Sequence, residues 1–311
     1  MKRKRTFKKA DAILTGDIEI RAFQPTCRTD NHWEAQERKM KWLCELQQKH
    51  DCPVLDSGDL FDKKYKVHPS NELTRWAGYH IPDNFHTVPG NHDLPGKTYE
   101  NYSNSAMAVL EMAGKLSHYS GGYLLYSDCV GSVVSGFEWG RSIKQEERYN
   151  IECPAIALVH AMIYEEFEPF PGCIGHSVKE TMDLLPDYDL IVTGHNHQTF
   201  VLEKNGRVLV NPGSFMRNDA DQADHKPCVF LWYADSNKVE QVFVPIEKDV
   251  ITRDHIDIKK EKEHRIDAFV EKLGEQATTG VDFGVNLEVN IKSGDVPKGV
   301  ENKVWEYYEG V

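Results

Sequence analysis

Short apolar runs that end in glycine and then acidic, amide or imidazole side chains recur through the first two thirds of the chain. One reads AILTGD (12–17) and another reads DLIVTGHNH (189–197), and helical stretches such as residues 33–49 lie between such runs. Apolar runs of this length are typical of buried strands, and their alternation with helical stretches predicts an α/β core with sheets between helical layers. The other runs are PVLDSGD (53–59), NFHTVPGNHD (84–93), AIALVH (155–160) and RVLVNPGS (207–214).

The sequence has no segment with the length and apolarity of a signal peptide or a membrane span. Its basic head, residues 1–9, is followed by an apolar run that Asp11, Asp17 and Glu19 interrupt, so the hydrophobic region that directs secretion is missing. The seven cysteines are widely spaced and form no Cys-x-x-Cys pair, as expected for reduced thiols. We therefore expect a cytoplasmic protein that is not bound to a membrane.

The charge balance limits how this chain could hold nucleic acid. It has 37 lysines and arginines against 49 aspartates and glutamates, a formal net charge of −12, and the cation-rich residues 1–9 contain no acid. Affinity for nucleic acid by bulk charge comes from lysine and arginine neutralising phosphates. We expect tight, salt-tolerant DNA binding to need a second subunit.

The last 64 residues differ in pattern from the rest of the chain. A strand-like segment at 251–258 precedes a charged helical run at 259–273, a Gly/Thr turn at 278–280 and an alternating segment, FGVNLEVNI, at 283–291. Alternation of apolar and polar residues is typical of a half-buried strand, so the pattern predicts a small β-α-β unit. We expect two domains, residues 1–247 and 248–311.

Polar side chains of the kinds that bind metals follow five of the predicted strands. The carboxyl ends of parallel strands meet at one edge of a sheet, where ligands bind, so we expect these side chains to converge. The His-x-His spacing of residues 195 and 197 places both imidazoles on the same side of an extended segment. Taken together, the five clusters of polar side chains predict a metal site. The clusters are Asp17 and Glu19; Asp59 and Asp62; Asn91, His92 and Asp93; His160; and His195 and His197.

In this order, the motifs GDIE (16–19), GDLFD (58–62), GNHD (90–93), His160 and GHNH (194–197) resemble the motif series of calcineurin-like metallophosphoesterases over residues 11–217. The beginning ILTGDIEIR, the run NPGSFMR after GHNH and the small tail further resemble SbcD-type DNA repair nucleases, including phage-encoded ones. The resemblance implies a two-sheet α/β sandwich core with a small C-terminal α/β capping domain. It also implies DNA as substrate, an SbcC-type ATPase as partner and a homodimer.

The same resemblance implies a two-metal site. Asp17, the residue at position 19, Asp59 and His197 would hold one divalent ion, and Asn91, His160 and His195 would hold the other, with Asp59 bridging. His92 would protonate the leaving oxygen or stabilise the phosphate, and Asp93 is expected to hold His92 in position. Two ions of this kind clamp the attacking and leaving oxygens of an in-line displacement. We expect Mn²⁺, with Mg²⁺, Fe²⁺ and Zn²⁺ as alternatives.

Glu19 departs from the family pattern, which has histidine at this position. A third carboxylate would make the first ion a weaker Lewis acid and favour manganese or magnesium. Two hypotheses follow: Glu19 ligates the ion directly and preserves activity, or it weakens the first site.

Several assignments stay open at the level of sequence. The same residues would serve a small-molecule phosphodiesterase or phosphatase, and a compromised first site would leave a non-catalytic subunit that binds DNA ends or the ATPase. Asp62 is expected to orient the loop or a ligand and not to bind metal, and Arg21, Arg141 and Arg217 are candidate phosphate contacts. The aromatic end of the chain, Trp305 to Tyr308, either docks the ATPase or packs on the tail.

Overall fold

The computed structural model describes most of the chain. The described residues are 8–62, 69–122, 125–127, 131–145, 153–254, 256, 258, 260, 261, 265, 266, 268, 269, 283–294 and 296–309. The chain divides into two compact units, residues 1–251 and 252–311. No helix in the described ranges is long and apolar enough to cross a bilayer. The six described cysteines are free thiols, and Cys129 lies outside the described residues.

Fourteen strands and six α-helices make up the described part of the chain. The strands are β1 (Ala12–Thr15), β2 (Val54–Asp56), β3 (Phe85–Thr87), β4 (Ser117–His118), β5 (Leu125–Ser127), β6 (Ser132–Phe137), β7 (Ala155–His160), β8 (Ile163–Tyr164), β9 (His176–Ser177), β10 (Leu190–Gly194), β11 (Phe200–Lys204), β12 (Arg207–Asn211), β13 (Cys228–Tyr233) and β14 (Lys238–Phe243). The helices are α1 (His32–His50), α2 (Asn71–His80), α3 (Ala106–Met112), α4 (Val178–Leu184), α5 (Phe283–Ser293) and α6 (Lys298–Glu309).

The first unit is built on two six-stranded sheets. The first has the order β14-β13-β1-β2-β3-β4 and the second β11-β12-β10-β7-β6-β5, and β8 and β9 form a separate pair. β1 to β4 are parallel to one another, as are β6, β7, β10 and β12. Parallel strands of this kind need helices over their outer faces, which accounts for the continuous apolar runs in the sequence.

The sheets pack face to face, and helices cover their outer faces. Leu14 and Leu55 of the first sheet share a buried cluster with Leu158 and Val192 of the second. Outside the first sheet, α1 contributes Met40 to the core, and outside the second, α4 contributes Met182 in the same way. This two-sheet α/β sandwich confirms the predicted core architecture.

Helix α1 follows the predicted pattern closely. It spans His32–His50, against a prediction of 33–49, and the Asn31 side chain caps it by accepting a hydrogen bond from the backbone N–H of Glu34. Capping satisfies one of the donors that a helix start leaves unpaired. The predicted apolar face is buried, with Met40 and Leu43 fully enclosed.

The second unit differs from the predicted β-α-β arrangement. The segment 283–291, predicted as a strand, lies in helix α5. In the predicted strand 251–258, Ile251 forms an isolated bridge with Arg28, and the described residues 254, 256 and 258 are helical. Residues 260, 261, 265, 266, 268 and 269 are helical as predicted, whereas the rest of the run 259–273 and the turn at 278–280 lie outside the described residues.

The physical reason for this error is the packing of α5 against α6. Leu287 and Ile291, four residues apart, are buried in one cluster with Val304 of α6, and that spacing is the helical one. Val289, which a strand would place on the same face, is 57% exposed. Trp305 packs against the same cluster and Tyr307 is exposed. For Trp305 the plainer alternative, packing on the tail, therefore holds.

The helical conformation of residues 283–291 leads to a testable expectation that a strand would not. Leu287→Asp should abolish protection of residues 283–309 in hydrogen-exchange mass spectrometry of the full chain, because it places a charge in the buried cluster at a cost of about 3 kcal/mol. Val289→Asp should leave protection unchanged, since position 289 faces solvent. Equal loss of protection in both variants would contradict the helical assignment.

Candidate metal centre

The predicted polar clusters all lie at one edge of the sandwich, where β1, β2, β3, β7 and β10 end. Two glycines allow the loops to approach so closely. Gly58 has a left-handed φ of 101°, and a side chain at Gly90 would collide with the Asp59 carboxylate. Glycine adopts left-handed backbone and tolerates such contacts because it lacks a Cβ atom.

Three acceptor atoms converge beside the end of β7. His160 Nε2 lies 3.2 Å from Asp59 Oδ2 and 3.2 Å from Asn91 Oδ1. The other ring nitrogen, Nδ1, lies 2.8 Å from the carbonyl oxygen of Ser57. A carbonyl only accepts, so Nδ1 carries a proton. Nε2 faces the two oxygens either with a second proton or, when a cation takes the place of that proton, with a lone pair. Such convergence of lone pairs on one point fits a divalent cation.

The charge state of His160 supports that fit. Burial alone would lower its pKa, but Asp59 and the hydrogen bond to it raise the pKa to about 10. Asp59 is therefore an anion whose pKa His160 and His92 hold below the usual range against the effect of burial. The site favours positive charge at the position that a metal ion would occupy.

His195 completes this group. Ligand atoms of Asp59, His160 and His195 lie within 4.8 Å of one another. Burial and the neighbouring His160 lower the pKa of His195 to about 3, so its imidazole is neutral and able to ligate. The ring packs against Trp139 with 4.6 Å between centroids.

A second group lies around Asp17 and Glu19. Both have left-handed φ angles, 46° and 53°, and their backbone N–H groups donate to the carbonyl oxygens of Gly58 and Asp59. Both Asp17 oxygens accept from the backbone N–H of His195, at 3.0 and 3.1 Å. Glu19 Oε1 lies 3.5 Å from His197 Nε2. Glu19 thus faces His197, and Asp17 lies near enough to His197 and Asp59 for their charges to act on it. Ligand atoms of Glu19, Asp62 and His92 also lie within 4.8 Å of one another.

Asp17 and Glu19 both face His197, so this group holds more buried acidic groups than cationic groups that face them. Asp17 and Glu19 are almost completely buried, and burial raises the pKa of each, with His197 acting in the opposite direction. Buried carboxylates are stable when they are paired or bind metals. The donor set thus fits a cation with oxygen and imidazole ligands.

Asp62 and Asp93 make different contacts beside His92. The expectation for Asp93 is that it holds the His92 ring, but its carboxylate accepts from the backbone N–H groups of Leu60, Phe61 and Gly90 at 3.3, 3.0 and 3.0 Å. It therefore joins the GDLFD and GNHD loops. Asp62, expected to orient the loop or a ligand, lies 3.4 Å from His92 Nδ1 through Oδ1 and pairs with Arg21.

Asp93 should therefore matter for stability. Asp93→Ala leaves three buried backbone donors without an acceptor, so we expect the free energy of unfolding to fall by about 3 kcal/mol. Urea denaturation measures this loss. Asp183→Ala, which removes an exposed acid paired with Lys204, is the matched control and should change stability by less than about 0.5 kcal/mol. Equal stability of the two variants would contradict the joining role.

Arg21, Arg141 and Arg217 already have protein partners. Arg21 pairs with Asp62 and Arg141 with Glu138. Arg217 donates to the backbone oxygens of Ala223 and Glu247. Each of these contacts uses donors that a phosphate would need.

Three residues near the site were missed in the sequence. Trp139 follows the carboxyl end of the parallel strand β6, and this position could have marked it as a candidate site residue. Asn218 Nδ2 donates to Glu19 Oε2 at 3.2 Å, and Gln222 Nε2 lies 3.3 Å from His197 Nδ1. Asn218 directly follows the NPGSFMR run and Gln222 ends a three-residue 3₁₀ helix, Ala220–Gln222, which is too short for a periodic pattern to mark either residue.

Several solved structures are similar to this chain. An archaeal phosphodiesterase is 11% identical, with 75% of this chain and 99% of that chain covered and a TM-score of 0.37. A Staphylococcus aureus protein described as a 5′-nucleotidase is 14% identical, covering 81% and 58%, with a TM-score of 0.44. Vacuolar protein sorting 29 of Cryptosporidium parvum is 18% identical, covering 78% and 100%, with a TM-score of 0.35. No curated protein matches the sequence.

The calcineurin-like phosphoesterase superfamily domain matches residues 28–233. The match covers about two thirds of the chain and includes every predicted ligand except Asp17 and Glu19, which precede it. Members of this family hydrolyse phosphoesters with divalent metals, and the group of Asp59, His160 and His195 at the strand ends supplies donors for that chemistry. The chain therefore belongs to the calcineurin-like phosphoesterase superfamily.

Proposed function

We propose that this protein is a metal-dependent DNA nuclease of the SbcD type that hydrolyses phosphodiester bonds with two divalent ions. The observation that carries the proposal is the position of Asp59. Its Oδ2 faces His160, its Oδ1 accepts from the backbone N–H of His92 at 2.7 Å, and its backbone oxygen accepts from Glu19. The Asp59 carboxylate thus contacts His160 and the backbone of His92, and the Asp59 carbonyl oxygen contacts the backbone of Glu19, so this one residue adjoins both ligand groups.

In this proposal one ion is held by Asp17, Glu19, Asp59 and His197, and the other by Asp59, Asn91, His160 and His195. When bound, the two ions supply Lewis acidity for the phosphate and a nucleophilic water. The carboxylate at position 19 adds a hard ligand, which favours Mn²⁺ or Mg²⁺ over softer ions.

His92 is the residue placed to move a proton. Its side chain is 26% exposed, whereas the ligand acids around it are buried, so it lies on the open side of the centre where substrate arrives. Asp62 Oδ1, 3.4 Å from Nδ1, holds the ring in position. A positioned imidazole of this kind protonates a leaving oxygen.

A cavity beside the metal centre supports a nucleotide substrate. It has a volume of about 480 Å³, and its lining includes Lys97, Tyr99, Trp139 and Arg141. The aromatic rings suit the base faces of nucleic acid and Lys97 suits a phosphate, whereas Arg141 is paired with Glu138 and the lining also contains Glu100. Trp139 connects this cavity with the ligand His195.

A small-molecule phosphodiesterase is the second candidate. The net charge of −12 favours it, because a long DNA strand would be repelled by an acidic surface that a small diester meets only locally. For DNA, the expected SbcC-type ATPase partner would provide the additional binding surface.

The expected homodimer is proposed to form through α2 and α3. The two helices border a cavity of about 610 Å³, and next to it Tyr79 is 75% and Met112 84% exposed. Large exposed apolar patches mark interaction surfaces. Met112→Glu should convert a dimer into a monomer in sedimentation velocity, whereas an unchanged sedimentation coefficient would contradict this surface.

One assay distinguishes the candidate functions. Purified full chain with Mn²⁺ is incubated with single-stranded DNA, double-stranded DNA and a bis-phenyl phosphodiester, with His92→Ala as control. We expect cleavage of DNA that His92→Ala reduces. Cleavage of the small diester alone, lost in His92→Ala, would replace the nuclease by the second candidate. Absence of both cleavage and metal binding would contradict both enzymes and favour a non-catalytic subunit.

A further inference from the structure

Glu19 stands where the superfamily motif has histidine, and the structure shows what holds it. Asn218, which is buried, donates from Nδ2 to Glu19 Oε2 at 3.2 Å and to the backbone oxygen of Glu19 at 3.4 Å. The other carboxylate oxygen, Oε1, faces His197 Nε2 at 3.5 Å and His92 Nδ1 at 4.0 Å. Asn218 therefore engages one oxygen and leaves the other directed into the metal centre.

The backbone that carries Asn218 is fixed by buried side chains. Lys39 Nζ donates to the carbonyl oxygen of Phe215 at 2.8 Å, and Arg28 Nη1 donates to that of Arg217 at 3.0 Å. Cys27 Sγ donates to the carbonyl oxygen of Asn218 itself, with 3.3 Å between the atoms. Phe215 N–H in turn donates to the carbonyl oxygen of Asp17. The segment 215–218 is thus fastened both to α1 and its preceding loop and to the GDIE motif.

Gln222 fixes the same segment from its other end. Its Oε1 accepts from the backbone N–H of Asn218 at 2.6 Å and from that of Asp219 at 3.1 Å. Asn218 is consequently restrained on both sides of its side chain. A fixed amide can hold the Glu19 carboxylate in one rotamer, whereas an unrestrained glutamate loses conformational freedom when it binds a metal.

We propose that Asn218 is a positioning residue that makes Glu19 a metal ligand in place of histidine. By holding Oε2, it keeps Oε1 directed toward the predicted ligand His197. Hydrogen-bond partners of ligands orient them, and their loss weakens metal binding about 10- to 100-fold. The inference rests on the proposed two-metal centre and concerns the first of its ions.

The test is a double-mutant cycle on metal binding by the full chain. Mn²⁺ affinity and stoichiometry are measured by electron paramagnetic resonance after chelator treatment for wild type, N218A, E19A and E19A/N218A. We expect N218A to weaken one Mn²⁺ site about tenfold and to leave the other unchanged. In the E19A background, N218A should cause no further loss, because Asn218 acts only through Glu19.

Two further variants separate positioning from other roles. N218D has the same shape but cannot donate and places a second negative charge beside Glu19 Oε2. It should release Glu19 and weaken the first site further than N218A, whereas a stronger site would mean that position 218 itself ligates. N101A removes an asparagine that donates to Pro95 O and should leave Mn²⁺ binding unchanged.

The outcomes distinguish this inference from the proposed function. Two Mn²⁺ ions bound equally well by wild type and N218A would overturn the positioning role and leave the two-metal centre standing. Equal weakening by N218A in the wild-type and E19A backgrounds would also overturn it, since the effect would then be structural. A wild type that binds no Mn²⁺ would overturn both.

Discussion

Asp59→Asn is expected to lower kcat for phosphodiester hydrolysis by about 1,000-fold or more, a loss of roughly 4 kcal/mol of transition-state stabilisation. Asparagine keeps the shape of the side chain but loses the charge that faces both ligand groups. It also loses the anion that sets the protonation state of His160. Steady-state kinetics with Mn²⁺, together with bound metal per chain, measures the effect.

The control for this variant is Asp235→Asn. Asp235 is exposed and pairs with Lys8 on the surface, so its substitution should leave kcat and bound metal unchanged. We expect Asp59→Asn to bind fewer than two ions while remaining folded by circular dichroism. A variant that still binds two ions and retains more than about a tenth of wild-type kcat would contradict the bridging role.

His92→Ala is expected to lower kcat by roughly 100- to 1,000-fold for DNA. For a diester with a p-nitrophenyl leaving group, which departs without protonation, the loss should be less than about tenfold. Metal binding should be unchanged, because His92 is placed as a proton donor and not as a ligand. The ratio of the two losses is the measurement, obtained with the same enzyme and metal concentrations.

The interpretation of His92 depends on that ratio. Equal losses for both substrates would contradict proton donation and point to phosphate binding by the imidazole. Asp62→Asn offers a further comparison, since Asp62 contacts Nδ1 of the same ring. We expect it to reproduce the leaving-group dependence of His92→Ala in weaker form, whereas a general loss on both substrates would mean that Asp62 acts elsewhere.

Much of the core and the location of the site could be predicted from the sequence. Parallel buried strands need uninterrupted apolar runs, and a ligand site at their carboxyl ends needs polar residues directly after those runs. Both requirements appear as local patterns, as at Asp17 after β1 and Asp59 after β2. For this reason the structure brings together side chains from GDIE, GDLFD, GNHD, His160 and GHNH.

Other features depend on tertiary contacts that have no local signal. Asp62 and Asp93 have the same chemistry and similar distances in sequence from glycine, so only the folded loops decide which one faces His92. The tail shows the same limit, because the alternation of apolar residues in 283–291 coexists with the four-residue spacing of Leu287 and Ile291. Packing against Val304 selects the helix. Asn218 is separated from Glu19 by 199 positions.

The central claim is that the strand ends hold two ions that share Asp59. Anomalous diffraction at the manganese edge from crystals grown with Mn²⁺ tests it most directly. The account predicts two peaks, one among Asp17, Glu19, Asp59 and His197 and the other among Asp59, Asn91, His160 and His195. A single peak, or a peak among Glu19, Asp62 and His92, whose ligand atoms also lie within 4.8 Å of one another, would contradict it.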